Sequence, residues 1–115
     1  MSDKNDRIDY VEFAAEDIAA FKRFYAAAFG WAFEDWGPDY ASFAGAGLDG
    51  GVRGGEKARA GSTLVVLYAD DLEDAEARVV RAGGAIGERF DFPGGRRFHF
   101  TDPCGNALAV WTKTA

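Results

Sequence analysis

The chain has 115 residues, a formal net charge of −6 and a pI of about 4.7, with 48% hydrophobic, 28% charged and 15% aromatic residues. This size and balance describe one compact domain and exclude a disordered tail or a collagen-like chain. The acidic balance repels a nucleic-acid backbone, and no apolar run approaches the length of a bilayer span.

The opening residues MSDKNDR are polar and mixed in charge, so no secretory leader is expected and a cytoplasmic protein is. One cysteine, Cys104, forbids an internal disulfide, and one histidine, His99, excludes zinc fingers and multi-histidine metal centres. The run 8–14 is apolar and aromatic and reads as a strand. Asp17 then stands where a helix N-cap belongs, and Ile18, Phe21, Tyr25 and Ala28 follow at helical spacing. Gly30 ends that helix, because glycine accepts the left-handed backbone of a C-terminal cap. Strand-like runs follow at 31–36, 40–45 and about 48–53, the first two separated by the turn Trp36-Gly37-Pro38-Asp39. The polar, glycine-flanked stretch 54–61 reads as a linker.

The pattern then recurs. A strand is expected over 62–69, an N-cap at Asp71, and a helix carrying Leu72, Ala75, Val79 and Ala82 that ends at Gly83-Gly84. Strands follow at 85–91, 96–101 and 106–112, with a turn at Phe92-Pro93-Gly94-Gly95. Shifting the chain by 54 residues superposes Ala15 on Ala69, Asp17 on Asp71, Ala28 on Ala82 and Gly30 on Gly84. The order is therefore βαβββ twice, in an α+β domain of two tandem modules, about 8–53 and 62–112. The competing reading, a ferredoxin-like βαββαβ domain, needs fewer strands and leaves 106–112 without a place. A module of this size buries little alone, so the two should pack side by side, with the helices outside and curved mixed sheets around a cup-shaped cleft.

The residues Asp17, Phe24-Tyr25, Phe29-Gly30-Trp31, Gly50-Gly51, Asp71-Leu72, Ala82-Gly83-Gly84 and Phe100-Thr101-Asp102-Pro103-Cys104-Gly105-Asn106 resemble the vicinal oxygen chelate superfamily. That superfamily includes glyoxalase I, bleomycin-resistance proteins, fosfomycin-resistance enzymes and extradiol dioxygenases. The resemblance implies paired βαβββ modules, a small-molecule ligand or substrate and a homodimer. It also implies metal-ligand positions on the first and last strand of each module. Carried onto this chain they are Tyr10, Leu64, Ala109 and a position close to Gly51. None is His, Gln or Glu, and a neutral phenol is a poor ligand for a divalent ion. A metal site needs about three N, O or S donors, so the usual site is expected to be lost and no cofactor is expected.

Strand alternation places Glu12 and Ala14 with Tyr10, Val66 and Tyr68 with Leu64, Ala107 and Trp111 with Ala109, and Arg53 with Gly51. His99 stands where the fosfomycin-resistance relatives carry a substrate-facing tyrosine, with its parity relative to Arg97 left open. Trp31, Phe33, Trp36 and Tyr40 are expected at the rim. The candidate ligand-binding set is thus Tyr10, Glu12, Trp36, Arg53, Leu64, Val66, Tyr68, Arg97, His99, Ala109 and Trp111. Glu12 is the sharpest signal, because a carboxylate on a cavity-facing strand must be paired or hydrated. It reads either as a ligand-side group or general base, with His99, or as an ion-pair partner of Arg53 or Arg97. Two functions follow. One is a metal-free protein that binds a small aromatic or hydrophobic molecule, sequestration of a toxic compound being one version. The other is a lyase, isomerase or dioxygenase. It would use acid–base chemistry at Glu12 and His99, or a non-standard metal site such as Glu12, His99 and Asp102.

Overall fold

The computed structural model describes residues 2–114. Among these are eight strands and two helices, in the order β1 (Arg7–Ala14), α1 (Ile18–Phe29), β2 (Ala32–Asp35), β3 (Tyr40–Ala44), β4 (Asp49–Arg53), β5 (Leu64–Tyr68), α2 (Leu72–Arg81), β6 (Ala85–Phe92), β7 (Gly95–Thr101) and β8 (Ala107–Lys113). This is the α+β, twice-used βαβββ order read from the repeat. The ferredoxin-like alternative fails because 107–113 is a full strand, hydrogen-bonded between β5 and β7. No helix among the described residues is long and apolar enough to cross a membrane.

Both helices start as the sequence expects. Asp17 and Asp71 are extended (φ −123° and −122°), and their carboxylates accept the Ala20 and Asp74 backbone N–H groups at 3.2 and 3.0 Å. The two stops differ. Gly30 is itself the left-handed cap (φ 75°), whereas α2 is capped by right-handed Ala82 and turns left-handed one residue later at Gly83 (φ 103°).

The chain forms two compact units, Tyr10–Leu64 and the remaining described residues. In the first, the strand order is β2-β3-β4-β1, with β1 and β4 parallel and the other pairs antiparallel. In the second, the order is β6-β7-β8-β5, with β5 and β8 parallel. The same order and the same parallel closure occur in both, which is the repeat expressed as topology.

Each helix covers one sheet face. Leu72 and Ala75 of α2 pack with Ala69, Phe98 and Val110 as the core of the second unit. In the first unit, Phe21 and Tyr25 of α1 lie 5.7 and 6.4 Å from the Phe13 ring. Trp31 stacks on Tyr25 at 4.5 Å and sits 4.7 Å from Phe43, while Phe33 meets Phe21 edge-on at 6.1 Å. Trp31 and Phe33 therefore belong to the helix-side aromatic cluster, not to the rim expected of them. Their pairing explains this: Phe33 lies opposite Phe43, whose ring is 6.1 Å from Phe13, the residue against which Phe21 of α1 packs. The opposite sheet faces are free of a helix of their own unit, and they carry the candidate residues.

Candidate functional site

On the first unit's helix-free face, strand register gathers polar groups. Glu12 lies opposite Gly51, Ala14 opposite Arg53, Tyr40 opposite Arg53 and Ser42 opposite Gly51. Paired residues point to the same side, so Tyr10, Glu12, Arg53, Tyr40 and Ser42 share this face. The side chains form a connected cluster. Tyr40 donates its hydroxyl proton to Glu12 Oε2 at 3.0 Å, and the Tyr10 and Tyr40 hydroxyls are 2.7 Å apart. Arg53 donates from Nη1 to Glu12 Oε1 at 3.3 Å, from Nη2 to the Ser62 carbonyl at 3.0 Å and from Nε to Glu56 at 3.3 Å. Glu12 is only 5% exposed, so the ion pair with Arg53 satisfies a charge that would otherwise be expensive to bury. The pairing with Arg53 expected for Glu12 forms.

Gly51 makes the cluster sterically possible. A Cβ there would overlap the Tyr40 and Tyr10 hydroxyls, so the two phenols occupy the space of its missing side chain. Trp36, at the edge of the face, donates its indole N–H to the Ser42 hydroxyl at 2.8 Å and is 62% exposed. Tyr40 is the member that the sequence reading missed; it was expected only at the rim. The clue was its two-residue spacing from Ser42 on one strand, but the β3–β4 register needed to use that clue is not readable from residue types.

Burial, then the negative Glu12, then the Tyr10 hydrogen bond push the Tyr40 phenol well above its usual value of 10.0. Its folded value lies above its unfolded one. The stabilisation it contributes is therefore complete below about pH 10 and is lost as pH rises further. Spectrophotometric titration of the four tyrosines is expected to show Tyr40 staying un-ionised until the protein unfolds in alkali. In Tyr40→Phe, that late, unfolding-linked phenolate step should disappear and the others remain.

The second unit's helix-free face is aromatic, and Val66, Tyr68 and Ala109 on it are buried. Val66 lies opposite Ala109 and Tyr68 opposite Trp111; Ala109 faces His99 and Trp111 faces Arg97 on β7. This settles the parity of His99: it shares the face with Arg97, Tyr68 and Trp111. The His99 ring is tilted against Phe90 at 5.7 Å, and the Arg97 guanidinium stands 4.6 Å above the same ring. Tyr68 meets Trp111 edge-on at 4.9 Å, and Trp111 donates its indole N–H to Asp9 at 2.9 Å. Val66 and Ala109 are buried and present only hydrocarbon, as does Leu64 in the first unit. Separately, a cavity of about 350 Å³ lies beside α2, with Leu72, Phe90, Arg97 and Phe98 in its lining. The ion pairs Arg89–Glu76 and Arg96–Glu73 stand there too, so Arg96 serves a contact with α2.

The four positions that the resemblance implies for metal ligands carry a phenol, an isobutyl group, a bare glycine and a methyl group, at Tyr10, Leu64, Gly51 and Ala109. The phenol is turned to Tyr40, and the glycine's side-chain space is filled. One phenol and three side chains without N, O or S do not make the donor set of a divalent ion. Among the described residues, no group of three or more His, Cys, Asp or Glu side chains is placed to hold one. Asp102, part of the alternative ligand set, is used in its own turn. Its carboxylate accepts from Asn106 Nδ2 and from the Asn106 and Cys104 backbone N–H groups at 2.8–2.9 Å, which holds its carboxyl below the usual range.

The profile of the Glyoxalase/Bleomycin resistance protein/Dioxygenase superfamily matches residues 7–110. No curated protein matches the chain. Among solved structures, the chain is similar to the Mn(II)-bound glyoxalase from Novosphingobium aromaticivorans, with 25% identity and a TM-score of 0.71 over 97% of this chain and 40% of that one. It is similar in fold to methylmalonyl-CoA epimerase from Mycobacterium tuberculosis, with 12% identity and a TM-score of 0.74 over 94% and 88% of the two chains. A glyoxalase/bleomycin resistance protein/dioxygenase superfamily member from Vibrio splendidus 12B01 gives 17% identity and a TM-score of 0.71 over 93% and 98%. The profile spans nearly all of both modules, and the capped helices and parallel-closed strand quartets agree with it. The chain belongs to the Glyoxalase/Bleomycin resistance protein/Dioxygenase superfamily.

Proposed function

We propose that this protein binds a small, partly aromatic organic molecule at the helix-free faces of its sheets, without a divalent metal. The observation that carries the reading is the Tyr10–Tyr40–Glu12–Arg53 cluster over Gly51. Its hydrogen-bonding groups gather around Tyr10 and Gly51, two of the positions that the resemblance implies for metal ligands, and Trp36 at the edge of the same face is exposed. A few fixed polar groups next to aromatic surface are the usual composition of a small-molecule site. Both Glu12 oxygens accept a hydrogen bond, from Tyr40 and Arg53, which fixes the carboxylate's orientation while each oxygen keeps a second lone pair for a ligand donor. A carboxylate held in place in this way suits a polar anchor. A cytoplasmic location and a homodimer complete the proposal. Exposed Phe24 and Phe29 on α1 support self-association, and light scattering tests it.

A thermal-shift screen of aromatic metabolites and antibiotics tests the binding, since a ligand of the folded state raises its apparent stability. At least one compound should raise the melting temperature. Glu12→Gln should weaken that compound's binding about tenfold or more, the loss of one charge-assisted hydrogen bond. An unchanged affinity in Glu12→Gln would overturn Glu12 as the anchor. Turnover of a bound compound would replace the binding reading with the enzymatic one.

A further inference from the structure

In the second unit, the Lys4 ammonium sits against two aromatic rings and a carboxylate. Tyr68 and Trp111 are cross-strand neighbours whose rings meet edge-on at 4.9 Å, and Phe92 is 6.1 Å from Trp111. The ammonium of Lys4 lies over both of the first two rings, 4.2 Å from the Tyr68 centroid and 5.0 Å from that of Trp111. Asp9 stands beside them. It accepts the Trp111 indole N–H at 2.9 Å and is 3.8 Å from the Lys4 ammonium. Two aromatic faces and one carboxylate thus converge on a single positive charge, the arrangement by which proteins recognise organic cations.

The charge comes from the chain's own N-terminal arm. Asn5 bridges to Tyr68, the Asp6 N–H donates to the Tyr68 carbonyl at 2.7 Å, and the Asp70 N–H donates to Asn5 Oδ1 at 2.7 Å. These contacts hold the backbone of the arm, while the Lys4 side chain stays 44% exposed. The ammonium is therefore the loosely held part of the arrangement, and it can swing into water without the arm detaching.

We propose that the Tyr68–Trp111–Asp9 corner is a binding site for a methylated ammonium group, and that Lys4 occupies it as an internal competitor. The class follows from what the corner offers. Its surfaces are π faces and one carboxylate that already accepts from an indole. A quaternary ammonium carries no N–H to satisfy and sheds water more readily than lysine does. The proposal rests on reading the helix-free faces as small-molecule sites, but it uses none of the Glu12 cluster.

The test is calorimetric titration of the full chain with tetramethylammonium and with neutral tert-butanol, supported by proton NMR. In the wild type, the Lys4 ε-methylene protons, lying over two rings, should be shifted upfield and should move toward random-coil values as tetramethylammonium saturates. Lys4→Met should bind tetramethylammonium about tenfold more tightly, because the competent fraction of the site rises. Trp111→Phe should weaken it, and tert-butanol should not bind. An equal affinity in wild type and Lys4→Met, or equal binding of the neutral compound, would overturn the proposal. If the aromatic-compound screen fails while tetramethylammonium still displaces Lys4, the Glu12 reading falls and this one stands. If a compound binds through Glu12 and tetramethylammonium leaves Lys4 unmoved, the reverse holds.

Discussion

Arg53→Met is expected to destabilise the protein by about 3 kcal/mol, a drop of roughly 10 °C in melting temperature. The carboxylate it leaves behind is 5% exposed, and the Arg53 guanidinium is 3.3 Å from one of its oxygens. Removing one partner of a buried pair leaves a charge without its counter-ion, which costs far more than the pair itself contributes. The double variant Glu12→Gln with Arg53→Met should therefore be more stable than Arg53→Met alone, because the orphaned charge is gone. The surface pair Arg78–Asp74 is the control. Its side chains are 42% and 56% exposed, and Arg78→Met should change stability by less than about 1 kcal/mol. Urea unfolding of the four proteins measures this. An Arg53→Met loss no larger than that of Arg78→Met would show that Glu12 does not depend on its neighbour.

Gly50→Ala is expected to cost about 3 kcal/mol or more, and more than Gly51→Ala at the next position. The two glycines point to opposite faces of β4. A Cβ on Gly50 would overlap the Phe43 ring and also the Val11 carbonyl, a backbone atom fixed by the β1–β4 pairing. Neither a rotamer change nor a small shift relieves a clash with sheet backbone. A Cβ on Gly51 would instead meet the ends of two tyrosine side chains. Those can swing aside, at the cost of the Tyr10–Tyr40–Glu12 hydrogen bonds, about 1–3 kcal/mol. The expected signature is thus a split. Gly50→Ala loses stability most, while Gly51→Ala keeps more stability but loses ligand binding along with the phenol cluster. Equal losses in both would mean that the Gly51 space is not what positions the phenols.

Much of the fold was legible because it rests on local chemistry. Asp17 and Asp71 cap helices through their own side chains, and Gly30 accepts a left-handed backbone; these are decided within a few residues. The repeat then supplied the topology, since two copies of one module adopt one strand order. The site was legible only in part. Glu12 stood out as a charge between apolar residues, and Arg53 was among its expected partners. Tyr40 did not, because its link to Glu12 depends on the β3–β4 and β1–β4 registers together. Trp31 and Phe33 were assigned to the wrong side for a related reason. A strand of four residues, β2, is too short for alternation to show which face meets the helix. The Lys4 contact was invisible for another cause: a lysine in a polar arm looks solvated until the arm is seen beside Tyr68.

Binding without a metal depends on the side chains at Tyr10, Gly51, Leu64 and Ala109 holding no divalent ion. Calorimetric titration of the dialysed protein with Mn²⁺, Zn²⁺ and Ni²⁺, with elemental analysis before dialysis, tests them most directly. No stoichiometric metal and no saturable binding is the predicted result. One tightly bound ion per chain, with loss of that ion on replacing Tyr10 by Phe, would contradict it.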